Sequence, residues 1–159
     1  MSGQSFGTLP LAEVAAQGGL EFLAGVIAGR FPSPPITEAL GFALVAVDRG
    51  RAVFAGAPTE RLYNPVGSIH AGFAATLLDS AMGCAVHSTL PAGQLYTTVE
   101  FKMNFLRALS ARTGRVEAEG KVINVGRRVG VAEARLTDES GRLYAHATTT
   151  CLIFPLAEA

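Results

Sequence analysis

The sequence is poor in charged residues and in cysteine. Of its 159 residues, 16% are charged, 49% are hydrophobic and two are Cys, and the formal net charge is zero. Average usage is about 25% charged, so a composition this apolar excludes an intrinsically disordered chain. The missing basic excess also argues against a nucleic-acid partner, because phosphate binding needs one. The length allows one domain with a substantial core.

Several sequence signals are absent as well. The N-terminus MSGQSFG carries no positive charge and no apolar run reaches about 18 residues, so we expect a cytoplasmic protein with no membrane partner. The motifs G-x-G-x-x-G and G-x-x-x-x-G-K do not occur, nor does a spacing typical of metal ligands. Cys84 and Cys151 are isolated in apolar contexts, which predicts two buried thiols.

The low charge has a consequence for assembly. A small chain with so few charges has too little polar surface to cover its apolar residues. A subunit interface would bury that surface, so the composition favours an oligomer.

Hydrophobic periodicity predicts the order of elements. Residues 10–30 predict a helix that Gly18 and Gly19 weaken, and residues 31–37, with three prolines, predict a linker between an N-terminal part (1–37) and the main domain (38–159). Residues 41–47 and 51–57 predict a hairpin, and residues 63–69 a loop. A long apolar helix follows at 70–88, and then four strands at 95–106, 113–124, 128–137 and 142–154. This order predicts an α+β fold with an antiparallel sheet around one buried helix.

One acidic residue interrupts the long helix. Asp79 stands among Ala, Leu and Met residues, and an ionised carboxylate is rarely buried without partners because its desolvation is costly. The pattern leaves two interpretations open. Asp79 either faces solvent on a partly exposed helix, or points into a cleft where a perturbed pKa suits a nucleophile or general base.

The start of the same helix suggests a second component. The first turn of a helix presents unpaired N–H groups, and Gly72 has no Cβ that would keep a ligand away from its N–H. Such a donor can hold a carbonyl oxygen that gains charge during acyl transfer. Asp79 lies about 10 Å further along the axis. We therefore expect a dimer in which Asp79 of one subunit lies beside the helix start of the other.

Residues 64–83, NPVGSIHAGFAATLLDSAMG, resemble the signature of hotdog-fold acyl-CoA thioesterases, most closely the phenylacetic-acid-degradation (PaaI-like) branch. The family pattern is an Asn, a short loop, His-Gly-Gly and an apolar helix with Leu-x-Asp-x-Ala. The sequence matches it at Asn64, His70, Gly72, Leu77, Asp79 and Ala81. It departs at Ala71, where the family usually has the first Gly. Residues 99–108 and 122–136 are also similar to family strands, and the resemblance covers about residues 38–154.

The resemblance implies a five- or six-stranded antiparallel sheet wrapped around the helix, to which this chain adds an N-terminal helix. It implies a homodimer or a dimer of dimers with active sites at subunit interfaces. Asp79 then corresponds to the catalytic carboxylate, as nucleophile or general base, and the Gly72 N–H to the donor that polarises the thioester carbonyl. Asn64 would orient water or the thioester, unless it is simply a turn former. His70 would hold the loop or bind near the sulfur, unless it is a capping or buried histidine.

Further residues are candidates for substrate binding. The resemblance places Thr97 and Thr98 on a strand that lines the acyl pocket, although strand propensity explains both equally well. Gly126, Arg127 and Arg128 form a turn that either is an ordinary solvated turn or grips the phosphates of CoA, and Arg107 is a second candidate for that role. His87 and His146 show no spacing typical of a site and are predicted to be structural.

The predicted function is hydrolysis of a small aromatic or short- to medium-chain acyl-CoA to a free acid and CoA. No cofactor or metal is expected, since CoA is part of the substrate. Two alternatives stay open: an enoyl-thioester hydratase or dehydratase on the same fold, and a non-catalytic acyl-CoA-binding module.

Overall fold

A long apolar helix and an antiparallel sheet make up most of the chain, which a computed structural model describes from residue 4 to residue 158. The helices are α1 (Leu11–Ala15), α2 (Gly19–Ile27), α3 (Pro35–Leu40) and α4 (Ala71–His87). The strands are β1 (Phe42–Asp48), β2 (Arg51–Gly56), β3 (Gln94–Phe105), β4 (Val116–Val125), β5 (Val129–Asp138) and β6 (Leu143–Pro155).

Helix α4 is the centre of the fold and agrees with the predicted helix to within one residue at each end. His70 is its N-cap, and the helix ends shortly before Leu90 and Pro91, where proline prevents its continuation. The helix is apolar nearly all round, and its largest fully buried side chains include Leu77, Leu78 and Met82. Helices of this kind are stable only when they are covered on most sides. Here strands of the sheet and α2 cover it.

The six strands form one antiparallel sheet in the order β1-β2-β4-β5-β6-β3. This confirms the predicted α+β architecture. Strands β1 and β2 form the expected hairpin, and the turn between them uses Gly50 at φ 80°. Strand β3 pairs with β6 from Gln94 to Phe105. It is therefore an edge strand, and within residues 4–158 nothing pairs with its other side.

One glycine fixes how closely α4 approaches the sheet. A Cβ at Gly120, in β4, would collide with the backbone carbonyl of Ala81 in α4. Only glycine allows this contact, so the middle of α4 can lie directly on the backbone of β4.

The N-terminal prediction is wrong in detail. The expected helix over residues 10–30 is two short helices, because Gly18 is extended (ψ 149°) and the Gly19 N–H donates to the Leu90 carbonyl, 3.0 Å away. Gly19 packs so closely on the His87 carbonyl that a Cβ would not fit. The predicted linker over residues 31–37 already contains the start of α3. The division of the chain at residue 37 stays a prediction.

The two cysteines are both free thiols. Cys151 is buried, as predicted, but Cys84 is only partly buried. The described residues include no helix long and apolar enough to cross a membrane. Between residues 4 and 158, no cluster of His, Cys, Asp or Glu could hold a metal ion.

Candidate active site

Asp79 lies on the side of α4 that faces the edge strand β3. The side chain is half-buried, and its Oδ1 accepts a hydrogen bond from Thr98 Oγ1 at 2.9 Å. The structure therefore excludes a fully solvent-facing Asp79. It also places Thr97 and Thr98 on opposite faces of β3, because neighbouring residues of a strand point in opposite directions. Thr98 contacts Asp79, whereas Thr97 is exposed.

The surroundings of Asp79 act on its acidity in opposite directions. Burial raises the pKa of the Asp79 carboxyl above its ordinary value of 3.8, and the hydrogen bond from Thr98 lowers it. Burial is the larger effect, so the net pKa is raised. A carboxylate that is partly desolvated and still bonded at one oxygen is suited to proton abstraction or nucleophilic attack.

Asp79 shares its face of α4 with small residues. Gly72, Thr76, Asp79 and Gly83 lie within about 60° of one another around the helix axis. Tyr96, two residues before Thr98 on β3, fills the space that Gly83 leaves, since a Cβ at Gly83 would lie 2.7 Å from the Tyr96 hydroxyl oxygen. Sequence reasoning missed Tyr96 as a neighbour of Asp79. Tyr96 and Thr98 are two residues apart on a predicted strand, and this spacing places both side chains on the same face of the strand.

The helix start is arranged differently from the expected carbonyl-binding site. The Gly72 N–H donates to Nδ1 of His70 at 2.9 Å. His70 therefore acts as a capping residue in this structure, which is one of the roles that the sequence left open. The role of the Gly72 N–H as a donor to substrate stays a prediction, and it requires the His70 side chain to turn away.

Asn64 organises its own loop. Its Oδ1 accepts from the Val66 and Ser68 N–H groups, both at 3.1 Å, and its Nδ2 donates to Ser68 Oγ at 2.9 Å. This is the geometry of a turn former. Its predicted second role, orienting water or the thioester, would require the side chain to give up part of these bonds.

A cavity of about 360 Å³ adjoins the helix start. It brings together three predicted site residues, Asn64, His70 and Arg107, beside Phe105 and Leu106 at the end of β3. Asp79 does not line it. Within one subunit, the structure thus places the carboxylate and the helix start at different positions along β3.

The candidate arginines also fall into two groups. Arg107 donates to the Leu143 carbonyl at 2.6 Å and lies just beyond the end of β3. Gly126, Arg127 and Arg128 form the exposed turn between β4 and β5, and the two arginines line a hollow of about 230 Å³ next to Gln94 at the start of β3. The two groups are separated by roughly the length of β3, about 35 Å at the usual rise per residue.

Comparisons with known proteins agree on one family. Residues 66–145 match the model of the thioesterase superfamily. A 1,4-dihydroxy-2-naphthoyl-CoA hydrolase of Listeria monocytogenes is 28% identical over 108 residues, which are 68% of this chain and 86% of that protein.

Solved structures of other proteins are similar to this chain over nearly their whole length. A mutant of the phenylacetic acid degradation protein PaaI of Thermus thermophilus has a TM-score of 0.67 and 32% identity, over 74% of this chain and 97% of its own. A thioesterase family protein of Silicibacter pomeroyi has a TM-score of 0.74 and 30% identity, over 84% of this chain and 98% of its own.

Proposed function

The chain belongs to the thioesterase superfamily and is a thioester hydrolase of the hotdog fold, and we propose that it cleaves acyl-CoA to a free acid and CoA with Asp79 as the catalytic carboxylate. The predicted family, fold and enzyme class are thereby confirmed. The main support for the proposal is the half-buried Asp79. It stands on an otherwise apolar helix and accepts a hydrogen bond from Thr98 of β3.

Two routes use this carboxylate. In the first, Asp79 attacks the thioester carbonyl carbon, the C–S bond breaks and CoA leaves as a thiolate that takes a proton from solvent; water then hydrolyses the resulting anhydride to the free acid and restores the Asp79 carboxylate. In the second, Asp79 takes a proton from water, which attacks the same carbon while CoA leaves as the thiol. Both routes need an ionised Asp79 and a donor for the carbonyl oxygen. The Gly72 N–H would supply that donor once His70 releases it.

The proposal includes a homo-oligomer with its active site at the interface. The α4 start lies near the end of β3, whereas Asp79 lies over its first half, beside Thr98. Two copies that pair antiparallel along β3 would reverse this order. Asp79 of one copy would then approach the helix start of the other, which one subunit alone does not achieve.

The edge of β3 has the surface that such pairing needs. Three apolar residues of this strand are well exposed: Val99 at 63%, Phe101 at 40% and Phe105 at 49%. Exposed apolar residues on an unpaired edge strand favour pairing with another chain, although Glu100 and Lys102 on the same strand are exposed as well. The same pairing would bring Arg107 of one copy toward Arg127 and Arg128 of the other, so both groups could contact one CoA.

For the acyl group we propose a small aromatic or a short- to medium-chain acyl. The relatives' names support this class, since one acts on 1,4-dihydroxy-2-naphthoyl-CoA and another is a phenylacetic acid degradation protein.

A thiol-release assay over a panel of benzoyl-, phenylacetyl-, butyryl- and octanoyl-CoA tests the proposal. We expect at least one to release CoA at a rate proportional to enzyme concentration. Enoyl-CoA hydration without thiol release would instead indicate the hydratase alternative. That reaction needs a His acting with the carboxylate, and in the described chain Thr98 is the only side chain bonded to Asp79. Tight acyl-CoA binding without either reaction would indicate a binding module.

A further inference from the structure

A second cavity, of about 390 Å³, lies between the N-terminal segment and the central helix. Most of its wall comes from residues 7–37, including Val14, Phe22 and Val26, and the rest from the sheet and α4. Among residues 4–158, no charged side chain lines it. Its volume falls in the range of about 300–1,000 Å³ that is usual for small-molecule sites. The N-terminal segment lies outside residues 66–145, which match the family model.

His87, at the end of α4, is the exceptional group in this wall. The residue is only 6% exposed, and its ring lies between those of Phe22 and Tyr96, with centroids 5.8 and 5.4 Å away. Within residues 4–158, neither ring nitrogen has a hydrogen-bond partner. Burial lowers the pKa of His87 to about 4. At neutral pH the ring is therefore uncharged and offers one donor and one acceptor.

The other buried polar groups of this cavity are already paired. Thr37 Oγ1 donates to the Pro34 carbonyl at 2.7 Å, and Ser33 Oγ accepts from Gln4 Nε2 at 2.6 Å. Buried polar groups in proteins are nearly always bonded, to protein or to a bound molecule. No buried side-chain nitrogen or oxygen among the described residues is sealed away without a partner. The His87 nitrogens are therefore not sealed in the protein interior, and His87 is one of the residues that line the cavity.

We propose that the cavity is a binding site for an uncharged apolar group, an alkyl chain or an aromatic ring, that carries one hydroxyl or similar hydrogen-bonding group, and that His87 bonds this group. The apolar wall accepts the body of the ligand. The absence of lining charges disfavours a bare carboxylate, since burying it unpaired is costly.

Two sources could supply this ligand chemistry. His87 and Asp79 are eight residues apart on α4, about 12 Å along the axis, and Tyr96 lies between the cavity and Asp79. Either the distal end of the substrate's acyl group reaches the cavity past Tyr96, or a separate small molecule occupies it. The first source rests on the proposed function, whereas the binding site itself does not.

The first experiment measures binding of 2-naphthol and naphthalene to the full chain by calorimetry. The wild type should bind 2-naphthol about fivefold more tightly than naphthalene, the size of one net hydrogen bond. His87→Phe keeps the aromatic packing and should retain naphthalene but lose the preference. Val14→Trp fills the cavity from α1 without changing α4, and should lose both ligands.

Each outcome has one meaning. Failure of the wild type to bind either compound would overturn the proposal, as would an unchanged preference in His87→Phe or unchanged binding in Val14→Trp. Thermal unfolding of both variants checks that they are folded. Asp79→Asn should bind both compounds like the wild type even if it is inactive, so failure of the proposed function remains distinguishable.

A second experiment identifies the source. If the acyl group enters the cavity, 2-naphthol should compete with octanoyl-CoA in the thiol-release assay, and Val14→Trp should raise KM for octanoyl-CoA but not for butyryl-CoA. If a separate molecule occupies the cavity, 2-naphthol should bind without competing.

Discussion

Among single residues, Asp79 is the one on which the proposed catalysis depends, because its surroundings oppose its charge. The carboxylate is half-buried beside apolar helix positions, and among the described residues Thr98 alone donates to it. The sequence predicted this residue correctly as exceptional, since one charge in an apolar helix is visible without a structure. It left open whether His70 caps the helix or binds substrate, and whether Asn64 forms a turn or orients water or the thioester. Those roles depend on side-chain rotamers.

Thr98→Val tests the electrostatic role of the threonine. The Thr98 hydroxyl lowers the pKa of Asp79, so its removal should raise that pKa further. The acid limb of kcat/KM, which reports the free enzyme, should then move to higher pH. Thr148→Val, a matched change on β6 away from Asp79, should leave the limb in place. A limb that stays in place in Thr98→Val would contradict this role.

The raised pKa of Asp79 in the wild-type protein also predicts an effect of this residue on stability. Because the pKa of Asp79 is raised in the folded state, the folded protein binds the proton more tightly than the unfolded chain does. The contribution of Asp79 to stability therefore falls as pH rises from its ordinary value of 3.8 through the raised value. Asp79→Asn should increase the free energy of unfolding at pH 7 but not at pH 3, measured by urea titration. A loss of stability at pH 7 would contradict the assigned direction.

At the scale of elements, the apolar patterns were sufficient for α4 and for all six strands. The predicted N-terminal helix failed because its interruption is tertiary in origin. The Gly19 N–H donates to the Leu90 carbonyl, and Gly19 packs against the end of α4. Helical periodicity in the sequence does not indicate such a contact. The position of β3 at the edge was also not predictable, since it depends on which strands pair across the sheet.

Gly120→Ala tests the close approach of α4 to β4. The added Cβ would meet the Ala81 backbone, which cannot move as a side chain can. We expect a loss of about 2–3 kcal/mol in the free energy of unfolding, at the upper end of overpacking effects. Gly7→Ala is the control, because its Cβ would meet only Pro32 atoms at 3.7 Å or more. Equal stability of the two variants would contradict the proposed contact.

At the scale of the whole molecule, the low charge of the sequence has a structural counterpart. Apolar residues remain exposed along the unpaired edge of β3, next to the strand residue that bonds Asp79. The sequence predicted an oligomer from composition, and the fold supplies a surface that fits one. The assembly itself stays a proposal.

Val99→Lys tests whether assembly and activity depend on the same edge. A lysine on an edge strand discourages pairing with another chain. We expect a smaller mass by light scattering and a parallel loss of thiol release. Val45→Lys makes the same change on the opposite edge strand, β1, where the valine is 39% exposed, and should keep both properties. Full activity of a monomeric Val99→Lys would contradict an active site at the interface.

The rate of CoA release by Asp79→Asn shows most directly whether Asp79 is the catalytic carboxylate. Asparagine keeps the size of the side chain and can still accept the Thr98 hydrogen bond, but it can neither take a proton nor attack the thioester. We expect kcat to fall by at least about 100-fold, with acyl-CoA binding preserved. Asp48→Asn, the same change at the exposed end of β1, should stay at the wild-type rate. Wild-type turnover in Asp79→Asn would contradict the assignment of Asp79 as the catalytic carboxylate.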